Sequence, residues 1–187
     1  MASALRPGFH LYPGMRVGLY GGSFNPAHEG HAHVADEGRK ALGLDKVIWL
    51  VSPQNPLKDS RQTATLTQRL AQARKIAASP ANIVTDLEAR LGSAYTVDTL
   101  RWLRRRHPGV RFVWIMGSDN LFGFHRWRAW KAIARETDVA IVPRPDAGAR
   151  ANLAPGGRYL RQTGRTRFLE TPLHHASSTA LRVRAMA

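Results

Sequence analysis

One stretch of this chain gathers residue types that handle anions rather than fill a core: GGSFNPAHEGH, Gly21 to His31. Two glycines follow an apolar run there, and His28 and His31 stand three residues apart where a helix begins. Residues at that spacing share one helix face. The free N–H groups and the dipole of a helix start already favour phosphate, and two imidazoles add side-chain donors to them. Glycines after a strand let the backbone turn sharply and approach a ligand with no Cβ in the way. A turn glycine or a capping histidine is the plain reading of either piece alone; the whole string favours an anion site. It is no Walker loop, since no Gly-Lys-Ser/Thr follows, and it holds no GxGxxG. His28, Glu29, His31 and His33 are potential metal ligands, but the spacing is not HExxH and the chain has no cysteine, so no dedicated metal site is expected.

A second set lies near the end of the chain. Ser177-Ser178-Thr179 followed by Arg182 places hydroxyls and N–H groups at a helix start with a guanidinium one turn on. That is an anion site by the same physics, and it is compatible with a plain N-cap. Gly117-Ser118-Asp119-Asn120 ends an apolar run. Asp119 there can accept hydrogen bonds from ribose hydroxyls or cap a helix, and the residues alone leave the two readings even. Lys58, on a segment stiffened by Pro53 and Pro56, reads by itself as a solvated surface cation.

The elements that must position these groups alternate. Residues 15–20, 46–51, 82–85, 111–117 and 138–142 read as strands apolar on both faces, as a parallel sheet covered by helices requires. Helical patterns fall near 29–42, 66–78, 96–107 and 126–135. In the third, Val97, Leu100, Trp102 and Leu103 face inward, and His107-Pro108-Gly109 ends it. A short strand around 167–169 precedes a last helix from about Ser178. Residues 144–166, rich in Pro, Gly and Arg, read as a mobile surface loop. Residues 1–14 read as an extension of a single domain over 1–187 whose core starts near residue 15. The expected fold is an α/β doubly wound, mostly parallel sheet with helices on both faces. Its strand order is 3-2-1-4-5, with the further short C-terminal strand. In such a sheet ligands bind where the order reverses, between strands 1 and 4, and those strands end in Gly21–Gly22 and Gly117.

Composition bounds the rest. A hydrophobic fraction of 43% over 187 residues supports one sizeable core. The apolar runs are too short to span a bilayer, and the N-terminus carries no signal-peptide pattern. A cytoplasmic protein with no membrane partner is expected. Against 13 Asp+Glu stand 28 Lys+Arg, a formal +15. That balance attracts polyanions, but lysines fall only at positions 40, 46, 58, 75 and 131, and Arg104-Arg105-Arg106 is the one cluster. A solvated basic surface on an enzyme of anionic substrates fits better than a nucleic-acid footprint.

GGSFNPAHEGH resembles the T/HxGH motif of the adenylyltransferase superfamily. With Ser-Phe-Asn-Pro before the first histidine, it is similar to bacterial nicotinate-nucleotide adenylyltransferases. SPQNPLK (52–58), SAYTVDTL (93–100), WIMGSDNLFGFHRW (114–127) and SSTALR (177–182) match the same family in order, so the likeness covers nearly the whole chain and implies a Rossmann-like fold. Departures are Leu57, where many members carry His, and Ala176, where a larger aliphatic residue is common. The resemblance implies adenylyl transfer from ATP to nicotinate mononucleotide, giving nicotinate adenine dinucleotide and pyrophosphate in NAD biosynthesis. It implies catalytic roles for His28, His31, Lys58 and Arg182. ATP would meet Gly21, Gly22, Ser23, Phe24, Gly117, Asp119, Ser177, Ser178 and Thr179. The acceptor would meet Asn25, Tyr95, Thr96, Trp127 and Arg128. The resemblance places Trp127 as the ring platform and backbone groups near Thr96 at the nicotinate carboxylate. Trp130 is expected in the core, and the Arg128 guanidinium, next to the platform, is expected to pair with the same carboxylate. Mg²⁺ would come with ATP, and the oligomeric state stays open. The alternatives are another phosphorylated acceptor, nicotinamide mononucleotide or phosphopantetheine, and, from other classes, a basic nucleic-acid-binding module or a histidine metallohydrolase. Phosphopantetheine has no ring to stack on Trp127.

Overall fold

A computed structural model of the chain describes residues 5–53, 63–145 and 147–174. Lys58, Ser177, Ser178, Thr179, Arg182, Leu57, Ala176 and the expected last helix lie outside the described residues.

Six strands make one parallel sheet: β1 (Arg16–Gly22), β2 (Lys46–Val51), β3 (Asn82–Thr85), β4 (Arg111–Gly117), β5 (Asp138–Val142) and β6 (Thr166–Phe168). Their order is β3-β2-β1-β4-β5-β6, the expected order with the short strand at its edge. Successive side chains on a strand face opposite ways, and both sets here are apolar. Val17, Leu19, Ile48, Leu50, Trp114 and Met116 belong to one buried cluster, and Tyr20, Val47, Trp49, Val51, Val113 and Ile115 to the other. Burial on two faces accounts for the unbroken apolar runs.

Helices α1 (Glu29–Leu42) and α2 (Leu66–Ile76) cover the second cluster through Val34, Ala35, Leu70 and Ala73. The short α3 (Leu87–Arg90), α4 (Thr96–Arg106) and α5 (Trp130–Glu136) cover the first through Leu87, Val97, Leu100, Leu103 and Ile133. The helix expected over 126–135 starts only at Trp130. Two 3₁₀ turns, Ser118–Phe122 and Phe124–Arg126, precede it, and Ala129 takes a left-handed φ of 52° just before its first turn.

The reading of 144–166 as a loop is corrected. Two helices occupy it, α6 (Arg150–Leu153) and α7 (Pro155–Gln162), burying Ala147, Ala151 and Leu160. Gly156 and Gly157 serve packing, whereas Gly148 and Gly164 take left-handed turns. A Cβ on Gly156 would lie 2.8 Å from the Leu121 carbonyl oxygen and 2.9 Å from Phe124 Cβ, so α7 sits closer to the 3₁₀ segment than any larger residue permits. Ahead of β1, Leu5, Phe9 and Leu11 pack on the first cluster, and the Arg90 guanidinium donates to the Arg6 and Pro7 carbonyls.

Candidate active site

The carboxyl ends of β1 and β4 lie side by side at the switch point, and the site is built around them. On one side of the β1 end the chain enters α1 through an unusual cap. His28 has an extended backbone, and its Nδ1 accepts from the Gly30 N–H at 3.1 Å. The His31 Nδ1 accepts in return from the His28 N–H at 3.2 Å. This is a capping box made of two imidazoles. An Nδ1 that accepts a backbone N–H carries no proton, so in each neutral ring the proton resides on Nε2. The rings lie 3.8 Å apart between centroids. His28 is buried, and burial, followed by the nearby Arg144 and His174 charges, lowers its pKa to about 4. At neutral pH it is an uncharged donor.

The turn itself differs from the sequence expectation. Gly21 and Gly22 are the last residues of β1, and the left-handed residue is Phe24, at φ 47°. That conformation is unfavourable for a residue with a Cβ, and burial of the ring supports it. Phe24 is 1% exposed and packs on Tyr20, His31 and Trp49. Its side chain is therefore core, and its backbone is what it can offer a ligand. Gly21 is required because a Cβ there would fall 2.6 Å from the Trp114 indole.

Asp119 is exposed in the first 3₁₀ turn, where Gly117 takes the N-cap position and no side chain caps it. The helix-cap reading of Asp119 therefore drops out. Next to it stands a cation the sequence reading missed. Arg144, past the end of β5, donates its backbone N–H to Ser118 Oγ at 2.9 Å and its guanidinium to the Gly30 carbonyl at 3.1 Å. That fastens the β4 and β5 ends to the first turn of α1. A lone arginine in a Pro-rich stretch carries no motif; its position after a central strand is the signal that could have found it.

On the other side a cavity of about 430 Å³ opens, lined by Gly21, Gly22 and Ser23 with Tyr95, Thr96, Asn120, Trp127 and Arg128. Trp127 is oriented by edge-on contacts with Trp114 (5.9 Å, 89°) and Phe124 (5.3 Å). Trp130, expected in the core, is partly buried there and packs edge-on against Tyr159 at 4.8 Å. Thr96 opens α4, whose N-cap, Tyr95, makes no side-chain cap. The first N–H groups of that helix thus stand beside the cavity, an arrangement that suits an anion. The Arg128 guanidinium lies 4.8 Å from the Tyr95 ring centre and 4.0 Å from Asp98, at the rim. Asn25 is tied elsewhere: its Oδ1 accepts from the Ala64 N–H.

One buried arginine holds the β1 and β2 ends in register. Arg69, 1% exposed, donates Nε to the Ala64 carbonyl, Nη1 to Ser23 and Ser52, and Nη2 to Pro53. The structure thus brings Gly21, Gly22, Ser23, Tyr95, Thr96, Trp127 and Arg128 to one cavity, and sets His28, His31, Gly117 and Asp119 around Arg144. Among the described residues no cluster of three or more His, Asp or Glu could hold a metal ion, and no helix is long and apolar enough to cross a membrane.

Comparison with known proteins agrees with this geometry. Residues 19–184 match the cytidylyltransferase-like family. A protein of Caulobacter sp. is 54% identical over 91% of this chain and 98% of its own length. Proteins of Cereibacter sphaeroides and Methylorubrum extorquens are 49% and 48% identical, over 90% and 91% of this chain and 97% and 100% of theirs. Each of the three bears the name "probable nicotinate-nucleotide adenylyltransferase". A solved Plasmodium falciparum nicotinic acid mononucleotide adenylyltransferase complexed with NaAD superimposes with a TM-score of 0.74 at 19% identity, over 90% of this chain and 83% of that one. The fold is the same. The chain belongs to the cytidylyltransferase-like family and, within it, to the nicotinate-nucleotide adenylyltransferases.

Proposed function

We propose that the protein transfers the adenylyl group of ATP to nicotinate mononucleotide, releasing pyrophosphate and forming nicotinate adenine dinucleotide in the cytoplasm. The observation that carries this is the division of the site at the end of β1. Two histidines with protonated Nε2 stand at the start of α1 on one side. A cavity with an indole and an uncapped helix start lies on the other.

The nucleophile is the 5′-phosphate of the acceptor, whose second pKa near ~6 makes it largely a dianion at neutral pH. One of its oxygens bonds to the α-phosphorus of ATP, and the bond from that phosphorus to the bridging oxygen breaks. The electron pair leaves with pyrophosphate, so no side-chain base is needed. The work of the chain is alignment and charge stabilisation. His28 and His31 donate to α- and β-phosphate oxygens, and His31 meets the charge that grows in the transition state. Arg144 adds a fixed cation beside them, and Asp119 accepts from a ribose hydroxyl. Lys58, Ser177, Ser178, Thr179 and Arg182 take the leaving pyrophosphate by resemblance to the family. Mg²⁺ carried with ATP would supply charge neutralisation at the phosphates without a dedicated set of side-chain ligands. Trp127 stacks on the pyridine ring, the first N–H groups of α4 meet its carboxylate, and Arg128 adds a cation at the rim.

Pyrophosphate release from ATP, measured in parallel with nicotinate mononucleotide, nicotinamide mononucleotide and phosphopantetheine, tests the reading. Turnover with the nicotinate acceptor well above the other two is expected. A preference for either of the others overturns it. In the same assay Arg128→Ala should narrow the preference for the acid over the amide.

A further inference from the structure

Glu88 stands in the cavity and takes no part in the steps above. It belongs to α3, is 4% exposed, and among the described residues lining the cavity is the one acidic side chain. Its Oε1 accepts from Thr99 Oγ1 at 3.4 Å, and the Ser52 hydroxyl is also close enough to hydrogen-bond it. Both partners are neutral, and no ion pair of Glu88 is found among the described residues. Burying a carboxyl without a cation is unfavourable, and doing so in a site for an anionic substrate more so.

Position narrows what the carboxyl can meet. Ser52, its neighbour in the cavity wall, donates its N–H to the Gly22 carbonyl at 2.9 Å, where β1 turns toward the histidines. Glu88 therefore shares one cavity with the ring platform at Trp127 and, through Ser52, adjoins the end of β1 that leads to the histidines. In a mononucleotide the sugar joins the ring to the phosphate. The acceptor named above, on whose identity this inference rests, carries a carboxylate and a phosphate, neither of which donates a hydrogen bond to a carboxyl oxygen of Glu88. Its hydrogen-bond donors at neutral pH are the two sugar hydroxyls.

We propose that Glu88 is the sugar subsite of the acceptor pocket, accepting a hydrogen bond from the 2′-hydroxyl and selecting ribonucleotides over 2′-deoxyribonucleotides. A site built to hydrogen-bond a hydroxyl rejects the analogue lacking it, because the buried group is then left without its partner.

The test compares nicotinate ribonucleotide with its 2′-deoxy analogue as acceptors, reading kcat/KM by pyrophosphate release for the parent, Glu88→Gln and Glu88→Asp. The parent should prefer the ribonucleotide by roughly 10- to 100-fold. Glu88→Gln should lose most of that preference by slowing on the ribonucleotide while changing little on the deoxy analogue. Glu88→Asp, with the carboxylate withdrawn by one methylene, should retain part of it, and carries the comparison if the amide variant fails to fold. Equal use of both acceptors by the parent overturns the proposal. So does an equal loss on both in the variants, which is what disturbed packing around Thr99 would produce. No pyrophosphate release by the parent with either acceptor overturns the adenylyl-transfer reading itself, a result distinct from equal use of both.

Discussion

Because His28 and His31 each spend Nδ1 on the start of α1, losing either ring removes a helix cap as well as the phosphate donor proposed above. The two losses differ in size. A cap is worth about 1 kcal/mol of stability, whereas one transition-state donor is worth on the order of 10²–10³ in rate. His31→Ala should therefore fold, with its unfolding midpoint slightly reduced, and turn over about 10²–10³ more slowly. Near-parental turnover would remove His31 from the mechanism. Glu88 makes a prediction of opposite kind. Burial raises its pKa from 4.5 to about 7, with Ser52 and Thr99 offsetting part of the rise. The folded chain then binds the proton more tightly than the unfolded one. Stability present below pH 4.5 is lost as pH rises to about 7 and stays lost above it. Glu88→Gln, which cannot ionise, should gain on the parent over that window, by on the order of 3 kcal/mol at pH 8. Urea unfolding at pH 5 and pH 8 measures the difference, and an equal offset at both would contradict the shift. His28 has the reverse sign: its folded pKa lies below 6.5, so its contribution declines as pH falls from 6.5 toward 4.

Arg69 acts between elements. Its guanidinium joins carbonyls of Ser23, Ser52, Pro53 and Ala64, so the β1 turn, the end of β2 and the approach to α2 share one fastener. Desolvation lowers its pKa from the ordinary arginine value, yet guanidinium remains charged at any working pH. Arg69→Lys keeps the charge and loses the planar fork. Such a change at a buried, fully hydrogen-bonded charge should cost about 3 kcal/mol or more, and the loosened Ser23 turn should lower kcat/KM beyond what unfolding explains. Thermal unfolding with kinetics well below the transition separates the two. The elements themselves were largely legible, because strands buried on both faces read as unbroken apolar runs and α1 and α4 carry clean 3.6-residue patterns. The misreadings have one cause. Gly156 and the alanines of 144–166 look like loop composition along the chain, but they are small residues that let α6 and α7 close on the 3₁₀ segment. Arg69 was invisible for a related reason, since an arginine in a polar helix reads as solvated until its burial is known. Arg144 escaped notice because its partners, Gly30 and Ser118, are far away in sequence.

At the scale of the whole molecule the +15 charge finds a use that needs no nucleic acid. Both substrates are anions, and a basic surface raises their encounter rate in a salt-dependent way. Raising ionic strength from 0.05 to 0.5 M, on the order of a threefold contraction of the screening length, should depress kcat/KM for ATP while leaving kcat nearly unchanged. A parallel fall in both would place the salt effect on the chemistry instead. The ends of β1 and β4 are neighbours in register, and residues following each of them contribute to both the cavity and the histidine side.

The edge-on pairing of Trp127 with Trp114 also makes the molecule its own optical reporter. Of five tryptophans, Trp127 and Trp114 line the cavity, and an electron-poor pyridinium ring laid against Trp127 would quench emission by charge transfer. Titrating nicotinate mononucleotide without ATP should dim the intrinsic fluorescence to a plateau. Trp127→Phe should abolish most of that dimming, whereas Trp130→Phe should leave it in place.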